Sequence, residues 1–128
     1  MAQYILLIYG PTEGGPSPEE QEAEMGRWWE YTQALRDAGA MRAGEALQTT
    51  DTATTVRVRD GQRLTSDGPF AETKEYLGGY YVIDVPDLDA ALDWAAKIPN
   101  VHYGSVEVRP IMVFDDASAE AAEAGAEA

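Results

Sequence analysis

The chain contains no cysteine and a single histidine, His102. Disulfide staples, thiolate nucleophiles and sulfur-ligated metals are therefore excluded, and so is a zinc site built on a histidine pair. Apolar runs are short: Tyr4 to Tyr9 falls far below the roughly 20 residues that a membrane span needs. The first residues carry no basic stretch leading into an apolar segment and a small-residue cleavage site, so no secretory signal is read there. The expectation is a soluble cytoplasmic protein with no membrane partner. Bases are scarce too, nine against 23 acids, for a net charge of −14. Residues 115–128 hold five of those acids and no base, yet residues 1–114 still carry 18. Binding a nucleic-acid backbone relies on Lys and Arg neutralising phosphates, so this balance argues against DNA or RNA as a partner. The glycines form no phosphate-cradling loop, and Asp84, Asp87, Asp89 and Asp93 lack calcium-loop spacing. No metal and no cofactor are expected.

What is present fits one domain of 128 residues, long enough to bury a core without staples. Tyr4 to Tyr9, closed by Gly10-Pro11, reads as a strand covered on both faces. Ser17-Pro18-Glu19-Glu20 is a helix start, with Ser as cap, Pro at the first position and Glu three residues after the cap. Met25, Trp28, Trp29, Thr32 and Leu35 then recur at helical steps, giving a first helix over about 18–38 that ends at Gly39. Ala43 to Thr50 reads as a second strand. Thr54–Arg59 and Gln62–Thr65 flank the two-residue turn Asp60-Gly61, a hairpin signal. Tyr76 to Val85 is a further strand. Asp87 caps a second helix with the stripe Leu88, Ala91, Leu92, Ala95 and Ile98, stopped by Pro99. Tyr103 to Phe114 is the last strand. The Ala/Glu-rich tail 115–128 has no large apolar residue and is expected to be disordered or weakly helical, leaving 1–114 as the domain.

Strand, helix, two or three strands, helix, strand is the order of an α+β ferredoxin-like unit, with two helices on one face of an antiparallel sheet. The other face is then bare and too apolar for water. A second copy packed sheet against sheet would cover it, so a homodimer is expected.

The densest signal is Asp67-Gly68-Pro69-Phe70-Ala71-Glu72-Thr73-Lys74-Glu75-Tyr76, a tight turn loaded with charge that runs into Leu77-Gly78-Gly79-Tyr80-Tyr81. With Tyr4-Ile5-Leu6-Leu7-Ile8-Tyr9, Ala43-Gly44-Glu45-Ala46-Leu47 and Val106-Glu107-Val108-Arg109-Pro110, it resembles the DGPF group of the YCII-related family across about residues 3–113. The resemblance implies a dimeric α+β barrel and no settled biochemical activity, together with a link to alternative sigma factors through gene neighbourhood. Better understood YCII-like relatives use a His–Asp pair in acid–base chemistry, including removal of chloride from a chlorinated hydroxyhydroquinone. Their histidine lies in the first helical region. Here that region reads Glu24-Met25-Gly26-Arg27-Trp28-Trp29, with no histidine, which weighs against that mechanism.

Asp67 is the candidate acid or base, since burial beside a turn raises a carboxyl pKa; an Asx-turn role serves it equally well. Lys74 and Glu75 are candidates to orient a polar ligand, or pair with each other. Arg109 is a candidate clamp for an anionic group, or the partner of Glu107. Trp28 and Trp29 lie roughly 100° apart on a helix, so one packs on the sheet and the other lines a pocket or a dimer seam. His102 suits proton transfer but is more often a surface or helix-end residue. Two functions follow: a small dimeric ligand-binder or cofactor-free acid–base enzyme acting on a polar small molecule, or a non-catalytic dimeric interaction module in a regulatory, sigma-factor-linked pathway.

Overall fold

A computed structural model of the chain describes residues 1–68 and 74–114. The expectations for Pro69 to Thr73 and for the acidic tail lie outside the described residues. In chain order come β1 (Ala2–Pro11), α1 (Pro18–Asp37), β2 (Met41–Ala46), β3 (Thr54–Arg59), β4 (Gln62–Asp67), β5 (Glu75–Val85), α2 (Leu88–Ala96) and β6 (Ser105–Pro110). Short 3-10 turns occupy Thr50–Thr52 and Pro99–His102. Four strands form one antiparallel sheet in the order β2-β5-β1-β6. β1 and β2 run parallel with β5 between them, as do β5 and β6 with β1 between. These two split crossovers make the ferredoxin-like α+β fold expected from the sequence.

Alternation along the strands separates two faces. Tyr4, Leu6 and Ile8 of β1 and Tyr81, Ile83 and Val85 of β5 are buried against the helices. Ile5, Leu7, Tyr9, Tyr80 and Val82 point the other way and are only half-buried. The central strand is thus apolar on both faces but covered, among the described residues, on one.

The helix ends carry their own chemistry. Ser17 Oγ accepts the Glu20 N–H at 3.2 Å and Asp87 Oδ1 accepts the Ala90 N–H at 2.9 Å, satisfying donors that have no intrahelical partner. α1 stops at Gly39, φ +69°, with Ala40 N–H reaching back to the Leu35 carbonyl and Gly39 N–H to that of Arg36, a Schellman closure. The inward stripe of α1 differs from the one the apolar spacing suggests. Glu24, Tyr31 and Leu35 are buried, whereas Met25 is 67% exposed. On α2 the buried residues are Ala91 and Ala95; Leu88 and Leu92 are largely out. Small side chains on the inner face let α2 lie close to the sheet, and Leu92, one step beyond Ala91, is rotated away by a helical step.

Two local features place side chains at the end of the sheet nearest the start of α1. The β1–β5 pairing slips by one between Ile8↔Gly79 and Tyr9↔Leu77, so Gly78 is unpaired and Gly10 faces Tyr76. That bulge turns Tyr76 onto the helix side. Gly104 is the second: a Cβ there would collide with the Tyr9 carbonyl oxygen, so glycine permits Tyr103 to sit close over β1. The last strand pairs over Ser105–Pro110 and is shorter than the sequence suggests at both ends. β3 and β4 form a separate two-stranded hairpin, with Asp60 and Gly61 both at positive φ as a two-residue turn requires.

Candidate functional site

Glu24 sits on the inner stripe of α1 and is 5% exposed. Its Oε1 accepts the indole N–H of Trp28 at 2.9 Å, from one helical turn further along. The Tyr103 hydroxyl, delivered by the chain just after the Pro99–His102 turn, lies 2.7 Å from Oε1 and 2.8 Å from Oε2. Among the described residues no Lys, Arg or His forms an ion pair with it. A buried carboxylate is costly unless hydrogen bonds satisfy it, and here neutral donors do so. Burial first, then the hydrogen bond and charge of Glu24, push the Tyr103 hydroxyl far above the usual tyrosine range; Arg27 opposes this. Tyr103 therefore keeps its proton and Glu24 keeps a donor.

Glu24 and Tyr103 stand between two clefts. One, of about 580 Å³, is lined by Glu24, Trp28, Tyr76, Asn100 and Tyr103 with the Gly10–Thr12 backbone end of β1. The other, of about 870 Å³, runs between α1 and α2 and also takes in Arg27, Lys97 and His102. Trp28 and Met25 separate the first from a third cleft of about 440 Å³, floored by Ile8 and Tyr81 and walled by Met41 and Gly44. Asn100, 6% exposed, donates its Nδ2 to the Tyr9 carbonyl at 3.2 Å, while its Oδ1 is buried with no partner. Swapping the amide would set oxygen against the Tyr9 carbonyl, so the spare group is an acceptor.

The residues singled out from sequence lie on different elements. Asp67 ends β4, exposed, opposite Thr54 on the hairpin; Gly68 beside it has φ +102° and donates to the Ala53 carbonyl at 2.7 Å. Lys74 is exposed, and its carbonyl accepts both the N–H and the hydroxyl of Thr12, at 2.9 and 3.1 Å, which pins it beside the rim of the 580 Å³ cleft. Glu75 accepts the Ser105 hydroxyl at 3.0 Å. Arg109 lies across from Ile5 on the sheet face without helices. Trp28 alone joins the buried carboxylate; Trp29 is 68% exposed. His102 is exposed and borders the larger cleft. Glu24, Tyr103 and Asn100 were not picked out from sequence. The available signal was the stripe Glu24, Trp28, Tyr31, Leu35, in which a charge occupies a core position. Among the described residues no three His, Asp or Glu side chains converge on a metal-sized point.

A ferredoxin-like α+β unit with a buried acid opening into clefts beside its first helix is the class that this architecture defines. The model of the YCII-related domain matches residues 2–115, and the chain belongs to that family. It is also 40% identical over 115 residues to a protein of Rhizobium meliloti (strain 1021) that is described as uncharacterized. That alignment takes in 87% of this chain and 93% of the relative. No helix among the described residues is long and apolar enough to cross a membrane.

Proposed function

We propose that this chain is a cytoplasmic, homodimeric protein that binds a polar small molecule beside α1, and that Glu24 acts there as a cofactor-free acid–base group. One observation carries the reading: a carboxylate 5% exposed, held by Trp28 and Tyr103 without a cation, at the wall of open clefts. Such a group is poised to accept a proton from a ligand that displaces the Tyr103 hydroxyl. In this reading Glu24, buried at the cleft wall, takes the proton-transfer role instead of Asp67, which is exposed on the β3–β4 hairpin. Lys74 and Glu75 remain rim groups in this reading. A homodimer is supported by Ile5, Leu7, Tyr9, Tyr80 and Val82, an apolar sheet face that no helix among the described residues covers. The test compares ligand binding, from a small-molecule thermal-shift screen, in Glu24→Gln and Asp67→Asn. Loss in the first alone supports the proposal; loss in the second alone overturns it.

The interaction-module reading has its own support in Val56 and Val58, 57% and 60% exposed on one face of the β3–β4 hairpin. It predicts that Val58→Asp abolishes a regulatory association while leaving small-molecule binding intact.

A further inference from the structure

Resting on the ligand-binding reading, we infer that the 580 Å³ cleft recognises an organic ammonium ion bearing an apolar or aromatic group. The charged and aromatic groups of the lining favour a cation. The one charge in the described wall is the Glu24 carboxylate, and its Oε2 accepts only the shared Tyr103 hydroxyl, leaving lone-pair capacity free. Asn100 also lines this cleft, and its side-chain oxygen is buried without a hydrogen-bond partner among the described residues. An orphaned acceptor of this kind costs free energy until a donor arrives. Trp28, Tyr76 and Tyr103 present three aromatic rings, whose faces attract cations. No Lys, Arg or His is among the described residues that line this cleft; Arg27, Lys97 and His102 border the larger cleft on the other side of the Glu24–Tyr103 pair. An anion placed against Glu24 would meet like charge, with no cationic side chain among the described lining residues to neutralise it.

The apolar part of the ligand has a place as well. Met25 and Trp28 border both this cleft and the 440 Å³ one, where Ile8, Met41 and Tyr81 supply apolar surface and Arg36 and Glu45 also line the wall. A ligand whose ammonium meets Glu24 can lay a short apolar chain or ring across Trp28 into that second space. The ligand class is therefore a primary or methylated amine with an apolar substituent, in its protonated form.

Three probes of nearly equal shape separate charge from shape: phenethylammonium, 2-phenylethanol and phenylacetate. Each is titrated into the full chain while the indole N–H signal of Trp28, assigned by its absence in Trp28→Phe, is followed by NMR. Phenethylammonium should bind at least about tenfold more tightly than the other two, and Glu24→Gln should level the three. Phenylacetate binding as tightly as the cation, or a cation preference that survives Glu24→Gln, overturns the ammonium assignment while leaving a small-molecule site in place. If no probe moves the Trp28 signal at millimolar concentration, both the assignment and the cleft as a ligand site fall. Should Glu24→Gln not fold, the wild-type ranking decides, with Tyr76→Leu as the second variant, in which the preference for the cation should shrink.

Discussion

The Tyr103 hydroxyl is shared between both oxygens of the Glu24 carboxylate, joining residues 79 positions apart in the chain. This clasp fastens the turn after α2 to the N-terminal half of α1. It also supplies one of the two donors, beside the Trp28 indole, that make a buried carboxylate tolerable, so its removal touches stability and chemistry together.

Tyr103→Phe should cost about 1–3 kcal/mol, the usual penalty for leaving a buried polar group short of a partner, read from urea unfolding. The pH dependence has a defined sign. The folded-state pKa of Tyr103 is raised above its unfolded value, so its contribution is complete below about pH 10 and is lost as pH climbs towards the folded value. Wild type should therefore lose stability more steeply above pH 10 than Tyr103→Phe does. Parallel curves above that pH would show that the hydroxyl is not held in this way.

Glu24→Met breaks the same clasp and should lower the melting temperature no more than Tyr103→Phe does, while abolishing ligand binding. Replacing a buried charge with an apolar side chain of similar length removes a desolvation cost, and the Trp28 and Tyr103 donors still open onto clefts. A large loss of stability with binding retained would assign Glu24 to architecture alone.

Leu35→Ala removes a fully buried side chain between α1 and the sheet and should cost about 2–5 kcal/mol. Leu92→Ala, on a side chain 46% exposed, should stay within about 0.5 kcal/mol in the same denaturant titration. Equal costs would mean that the helix faces are assigned wrongly.

Leu7→Lys places a charge in the middle of the sheet face that lacks helices. Light scattering should return a dimer mass for the wild type and a monomer mass for this variant, with the circular dichroism spectrum unchanged. An unaltered dimer would move the interface elsewhere.

Much of the architecture was legible because its signals are local. Ser17 and Asp87 cap the helices that their spacing announces, and Asp60-Gly61 turns the hairpin it was expected to turn. The site was harder to read because it is assembled over distance. Glu24 breaks an apolar stripe and reads as a solvated charge until Tyr103 is brought to it from the far end of α2. The slip at Gly78, which decides the side of the sheet that Tyr76 occupies, leaves no trace in a pattern of period two. The turn motif at Asp67 drew attention because it is dense in charge, whereas the buried acid is a single unremarkable glutamate in a helix full of them.

Among the described residues the hairpin of β3 and β4 forms a sheet of two strands, and two strands alone are marginal in water. Its amide hydrogens should consequently trade with solvent through local opening, at free energies well below that of global unfolding, while those of β1, central in the larger sheet, wait for the whole domain to open. The molecule thus carries two clocks, and slowing of the faster one is the signature to be expected whenever something settles on Val56 and Val58.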